Sequence, residues 1–431
     1  MASSKLRLAI VGGGISGLTL AVALKDCRNI QVAIYEQAHE ISEIGAGITL
    51  WQRGHEILEF LGLKEDLLKV INEEPEELDK QKLAFQYRLS DRADGFNFYN
   101  LYSKGGGRYF HRQEIQQLLL KHVPDFVTVH LSHQLKRCEE AQDSVKLIFK
   151  DESEATCDIL IAGDGIKSVV RNCISNEGPS YTGTDVYRYL IPKENLAKVA
   201  PNHSCLEHPS VLCGKSQASA LEETHKNNKL NFVSGIQSTC VTIPENEDKP
   251  LPGPEVRKAT TKEVVDHFKG WETEVVQLLE KMENPVCYVL RELHPLKTYI
   301  TRRIALIGDA AHGMTPFLGA GGGQAIEDAY VLGRLFSKAS PENWLRVLEA
   351  YNLVRLPTAN KIQHDSHVQG HYVQLLTPEF ENIKGMGQEL APEQMNLLLQ
   401  VSTKHWSWLD TDEAEQDLTR AIEYLRNTVA A

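Results

Sequence analysis

The chain has 431 residues, 42% of them hydrophobic and 24% charged, with a formal net charge of -12 at pH 7. That length suits two or three domains around a substantial core, and the acidic balance excludes the basic face of a nucleic-acid binder. Eight cysteines are scattered without a CxxC pair, as expected of reduced structural thiols in a cytoplasmic protein. No apolar run is long enough to span a membrane, and neither end carries a signal-peptide core or a lipidation signal.

In chain order, "LRLAIVGG" reads as a buried strand stopped by glycine, "ISGLTLAVALKD" as a helix and "QVAIYEQ" as a second strand. That succession opens a parallel α/β sheet. "HRQEIQQLLLKHV" is a helix beginning at His111 and Arg112, and "DSVKLIFKD" alternates like a strand of an antiparallel ribbon. "CDILIAGDGIKSVVRNCI" reads as a strand, a turn and a helix. Residues 181–289 turn polar and strand-rich, "KLNFVSGI" among them, and "RIALIGDAAH" returns to the buried-strand pattern. The tail from about Gly370 reads as amphipathic helices, with Trp406 and Trp408 as packing residues. The expected layout is residues 1–180 for a nucleotide domain, with a possible excursion near 80–105. Residues 181–289 would form an inserted β-rich substrate domain, 290–369 the return of the first domain, and 370–431 a helical tail.

Three motifs carry chemistry. Gly12, Gly14 and Gly17 stand in G-x-G-x-x-G spacing between strand and helix. The first permits a tight turn, the second lets backbone approach a pyrophosphate, and the third allows close helix–strand packing. The helix N-terminus offers amides to the anion. Glu36 ends the next strand, where a carboxylate can bind ribose hydroxyls. In the second motif, Gly163-Asp164-Gly165, Asp164 either caps the following helix or the motif is a plain strand–helix turn. The third, "GDAAHGMTPFLGAGGGQAIEDAY", puts Asp309 at a strand end and glycines 319–323 at a helix start, where exposed amides favour negative charge. No HExxH, paired His/Cys cluster or calcium loop accompanies His312, so no metal is expected.

In this order, the three motifs resemble the flavoprotein aromatic hydroxylases, the single-component FAD monooxygenases, from about Leu6 to Leu356. "EIGAGI", "YTGTDVYRYLIP", "VLCGK", "GWETEVVQLL" and "LHPLKTYI" are similar to a fungal salicylate-hydroxylase-like branch. The resemblance implies an α/β, Rossmann-type FAD domain with an inserted β-rich domain and C-terminal helices, a para-hydroxybenzoate-hydroxylase-like fold. It also implies a reaction: NADH or NADPH reduces FAD, O2 adds at flavin C4a, and the hydroperoxide transfers one oxygen to an electron-rich ring. By the same resemblance, Gly12, Gly14, Gly17, Glu36, Arg112, Asp309 and Gly322 would contact FAD. Ala46 and Gly47 would lie near the flavin, Asp164 near the pyrophosphate and the nicotinamide nucleotide, and Pro316 beside the isoalloxazine. Arg188 would hold a substrate phenolate, which a delocalised cation favours.

The chain departs from that pattern in two places. Glu222 and Glu223 stand where relatives carry an apolar strand ending in Tyr-Pro, and Phe317-Leu318 replaces a His-Gln pair before the glycines. Both changes bear on the pocket, and Phe317-Leu318 predicts a more apolar wall than a salicylate hydroxylase has. The expected partner is a small aromatic molecule, either a salicylate-like or polyketide phenol or an indole-type ring, with hydroxylation or dearomatisation as outcome. No nucleic acid or membrane partner is expected, and the protein would be a monomer or homodimer. Two classes compete: a binding protein on the same fold that uses no flavin, against which the intact glycines, Glu36 and Asp309 argue, and a non-oxygenating flavoprotein on the same fold.

Overall fold

The computed structural model describes residues 5–427 except 28, 42–46, 72–74, 190, 222–234, 237–238, 244–245, 252, 341 and 412. Ala46, Glu222 and Glu223 therefore lie outside the described residues. Five parallel strands form one sheet, in the order Ile304–Leu306, Ile159–Ala162, Leu6–Val11, Ile30–Tyr35 and Val127–His130. The strands Leu6–Val11, Ile159–Ala162 and Ile304–Leu306 are buried along nearly their whole length. That is why they read as unbroken apolar runs rather than as alternation: both faces are covered. The helix Ile15–Ala23 buries eight of its nine residues. It is pinned between the sheet and a late helix, Gly321–Phe336, so it has no polar face to show.

The second layer is an eight-stranded sheet. Its order is Val256–Lys258, Val286–Glu292, Ser180–Arg188, Thr239–Thr242, Gln217–Leu221, Ser210–Gly214, Gln81–Leu89 and Phe96–Lys104. The last two strands come from far upstream. Gln81–Leu89 runs parallel to Ser210–Gly214, with Arg88 opposite Leu212, a pairing that needs a long crossover. "DSVKLIFKD" supplies Val145–Phe149, the middle of a three-stranded antiparallel sheet.

Two local expectations change. After Gly165 there is no α-helix but one 3-10 turn, Val170–Cys173. Asp164 Oδ2 accepts from the amides of Val169 and Val170 at 2.9 and 3.4 Å, and Arg171 donates to the carbonyls of Ala310 and Ala311 at 3.1 and 3.2 Å. Two valines and an Asn give the segment little helical propensity against those tertiary bonds. Second, the helical tail does not begin at Gly370: a 30-residue helix, Trp344–Val373, runs through that point, followed by Pro392–Trp406 and Glu413–Asn427. Val347, Tyr351, Val354, Ile362, Ser366, Gly370 and Val373 are buried along one side of the long helix, the spacing of a helix that faces a core.

The late helix touches the first one through a missing side chain. A Cβ on Gly333 would lie 2.4 Å from Ala23 Cβ and 3.0 Å from the Ala23 carbonyl. Gly333→Ala should therefore force the two backbones apart and cost about 1–3 kcal/mol, read as a lower urea midpoint with an unchanged slope.

Candidate active site

Two cavities meet at the start of the late helix. The first, about 550 Å³, is lined by Gly12, Gly14, Glu36, Arg112, Asp164, Asp309 and Gly322 among others. The strand-to-helix turns build it. Gly12 has φ +103°, and a Cβ there would fall 2.2 Å from the Gly163 carbonyl oxygen. Only glycine lets these two turns approach so closely. Gly17 does not line the cavity: its Cβ would lie 2.0 Å from the Gly12 carbonyl oxygen, so its part is to seat the helix on the strand. At Gly14 a Cβ would meet nothing within 4 Å; that position faces open space beside the helix start.

Glu36 accepts from the Gly13 amide at 2.6 Å and from the Ala38 amide at 2.8 Å. Its carboxylate is thus oriented by backbone at the end of its strand. Arg112 is the first residue of the helix Arg112–Lys121, whose start is secured by the His111 amide donating to Glu114 at 3.1 Å. From one turn further on, Gln116 donates to the Gly13 carbonyl at 3.1 Å. Asp164 spends one oxygen on the 3-10 turn; the other, Oδ1, is buried with no hydrogen-bond partner among the described residues. Burial raises the Asp164 carboxyl above its ordinary value, against the bonds from Ser168 and the turn amides. An unpartnered buried acceptor beside a glycine cradle is the kind of group a ligand completes. The glycine turn, the fixed Glu36 carboxylate and this open acceptor fit the dinucleotide that the first motif implies.

The second cavity, about 390 Å³, is lined by Phe85, Tyr87, Arg188, Tyr288, Pro316, Phe317 and Trp406 among others, and Gly47 also borders it. Ile48, Arg112, Asp309, Gly321 and Gly322 belong to both cavities, so the late helix begins at their junction. Arg188 ends the strand Ser180–Arg188, and its guanidinium lies 5.9 Å from the centre of the Tyr288 ring. Among the described lining residues, the charged ones are Arg112, Arg188 and Asp309. Leu318, expected beside the pocket with Phe317, is fully buried in the core beneath it and its carbonyl accepts from Trp51 Nε1 at 3.2 Å. Phe317 does line the cavity, and its ring occupies the space over Gly370, where a Cβ would come within 2.3 Å.

The sequence reading missed Phe85, Tyr87 and Trp406. Phe85, Tyr87 and Leu89 alternate in "LAFQYRL", a period-two signal that marks one face of a strand. Trp406 gives no local signal beyond its size. It is buried against Trp51, with ring centres 5.1 Å apart, and donates to the Tyr87 hydroxyl at 2.9 Å. It is thus a packing residue and a cavity wall at once. Burial holds the Tyr87 phenol well above its ordinary range, so it stays neutral.

Beneath the junction lies a buried ionic network. Arg355 Nε donates to Asp328 Oδ1 at 2.8 Å, Nη1 to Glu327 Oε2 at 3.0 Å, and Nη2 to Gln324 Oε1 at 2.6 Å. Arg53 reaches the same Glu327 oxygen at 3.1 Å. Asp328 Oδ2 accepts from the Gly308 amide at 2.9 Å and is 2.6 Å from His312 Nε2. The residue after Gly308 is Asp309, so this network sets where the Asp309 carboxylate stands. His312 is accordingly a structural partner of Asp328. Burial opposes the Asp328 charge, but His312 and Arg355 together keep its carboxyl below the ordinary value.

Residues 5–366 match the family model described as FAD binding domain. A salicylate hydroxylase of Pseudomonas putida is 32% identical over 425 residues, covering 95% of this chain and 94% of that relative. The 6-methylsalicylate 1-monooxygenase atA of Aspergillus terreus is 31% identical over 373 residues, covering 84% of this chain and 81% of that relative. A solved salicylate hydroxylase substrate complex has a TM-score of 0.82 at 29% identity and covers 97% of this chain and 98% of its own.

Arg355→Ala should remove the central cation of the buried Glu327–Asp328 network, leaving those carboxylates to Arg53 and His312, and cost about 3–5 kcal/mol in urea denaturation. The Asp328 carboxyl titrates lower folded than unfolded. Its contribution is therefore fully present above the ordinary carboxylate range and is lost as pH falls through the folded value. Asp328→Asn should be less stable than the parent at pH 7, with a flatter loss of stability on acidification; parallel acid limbs would show that Asp328 carries no such linkage.

Proposed function

The chain belongs to the flavoprotein aromatic hydroxylases and is an FAD-dependent monooxygenase, and from that premise we propose that it hydroxylates a substituted phenol of the salicylate class. The observation that carries this reading is the second cavity. It is walled by aromatic side chains, holds Arg188, and opens directly onto the residues that begin the late helix. Its volume, about 390 Å³, lies within the ~300–1,000 Å³ usual for small-molecule sites.

FAD, when bound, supplies the electrons taken from NADH or NADPH and activates O2, so that one oxygen atom enters the ring and the other leaves as water. The chain's own residues hold and surround the reactants. The amides around Gly12 and Gly14 would meet the pyrophosphate, assisted by the positive end of the first helix. Glu36 would take ribose hydroxyls, Asp309 a ribityl hydroxyl, and Asp164 would lie near the pyrophosphate with Arg112 close by. Gly321–Gly323 begin a 16-residue helix, whose first amides have no intrahelical acceptor and would favour charge on the reduced ring. Pro316 would lie against that ring.

Arg188 would stabilise the ionised phenol. A free phenol titrates near pH ~10, and a cation beside it lowers that value and leaves the ring more electron-rich. Tyr87, held neutral and already accepting from Trp406, contributes as wall rather than base. With Phe85, Phe317 and Trp406 it would exclude water around the reacting ring. Phe317 makes this wall apolar, which favours an alkyl-substituted or larger phenol over salicylate itself. No helix among the described residues is long and apolar enough to cross a membrane, and a cytoplasmic enzyme is the compartment we assign.

The test is a panel of phenols and indoles with the yellow, FAD-loaded protein. Each compound is scored for accelerated NADH and NADPH oxidation, O2 consumption and a product heavier by one oxygen. Acceleration by alkylated hydroxybenzoates above salicylate supports the reading, and turnover confined to indoles overturns it. Arg188→Ala should raise KM for the best phenol roughly 10–100-fold, the worth of a hydrogen bond to a charged group, with flavin content unchanged. Arg188→Lys should recover part of that loss, because the charge is restored without the planar fork.

A further inference from the structure

We propose that Glu247, His367 and His371 form a binding site for a divalent cation of the zinc class, outside both cavities. His367 and His371 stand four residues apart on the long helix Trp344–Val373, so their side chains leave the same face one turn apart. Their ring centres are 4.4 Å apart. Glu247 comes from the turn after the strand Thr239–Thr242. One ligand atom from each of the three residues lies within 4.8 Å of the others. A tetrahedral ion with bonds of about 2.0–2.2 Å needs its ligand atoms nearer ~3.4 Å, a closure that small side-chain rotations supply.

A fourth residue makes this more than a chance cluster. Glu292 Oε1 is 2.8 Å from His367 Nδ1. A carboxylate on one ring nitrogen fixes the tautomer and turns the other nitrogen into a ligand, the usual support behind a metal-bound histidine. Two imidazoles and one carboxylate select a borderline ion such as Zn2+, Co2+ or Ni2+ over Mg2+ or Ca2+, which prefer all-oxygen sites. With three protein ligands the fourth position would hold water. Nothing local marks the His367–His371 pair as a site, because the third ligand, Glu247, lies 120 residues away from His367 in the chain.

The location gives the ion a consequence. It would join the long helix to the turn bearing Glu247 and, through Glu292, to the strand Val286–Glu292. That strand carries Tyr288 into the second cavity, and the helix carries Gly370, on which Phe317 rests. A bound ion would tie these two parts of the cavity wall together from outside, as a structural cation that takes no part in the reaction.

The test uses FAD-loaded protein, stripped with chelator and then titrated calorimetrically with Zn2+ alone. The expected result is one equivalent bound with Kd of about 10 µM or tighter, unaffected by millimolar Mg2+. His367→Asn and His371→Asn should each weaken it at least tenfold. Glu247→Gln, an exposed change with little bearing on folding, should also weaken it, while flavin content and basal turnover stay unchanged. Absence of saturable Zn2+ binding in that range overturns the proposal. So does binding of equal affinity in the parent and all three variants, which would place the ion elsewhere, on the cysteines for example.

Discussion

Arg355 is the residue on which the active-site geometry rests. It is fully buried and meets two carboxylates and an amide side chain from successive turns of the late helix. A buried ion pair is seldom a gain in stability over a hydrophobic equivalent, because desolvation offsets the Coulomb attraction. What this network does supply is position. Asp328 binds Arg355 with one oxygen and the Gly308 amide with the other, which ties the end of the strand Ile304–Leu306 to the helix that follows. Asp309, Gly321 and Gly322 are thereby held around one point, the junction of the two cavities.

The two cavities differ in chemistry because different layers build them. The first is made of backbone turns and polar groups at the ends of parallel strands, the usual place for a nucleotide in an open α/β sheet. The second is made of side chains from the eight-stranded sheet and the C-terminal helices, and its walls are aromatic. A dinucleotide needs backbone amides and a carboxylate. An aromatic substrate needs area, dryness and one well-placed cation. The two cavities, one polar and one aromatic, share the residues that begin the late helix.

Glycines at other contacts show how tightly the elements are packed. Gly12 sits against Gly163, Gly17 against Gly12, Gly333 against Ala23 and Gly370 against Phe317. At each contact a single methyl group would separate elements that must touch. Phe317 and Trp406 extend the coupling to the C-terminal helices. The tail is therefore part of the pocket: Trp406 is bonded to Tyr87 on a strand more than 300 residues earlier.

The sequence by itself determined the parallel nucleotide layer, the family and the polar lining of the first cavity. Those depend on glycine spacing, strand-end acids and buried apolar runs, all of them local patterns that backbone geometry imposes on neighbouring residues. Glu36, Asp164 and Asp309 could be named for that reason. It did not determine the short turn after Gly165, where bonds to Ala310 and Ala311 override any local helix. Nor did it separate Phe317, which faces the cavity, from Leu318, which does not. Tertiary structure alone decided the aromatic wall and the Arg355 network, and it alone brought Glu247 beside the His367–His371 pair. Each joins residues from distant segments whose meeting is fixed by sheet order and helix packing, and such contacts leave no period in the chain.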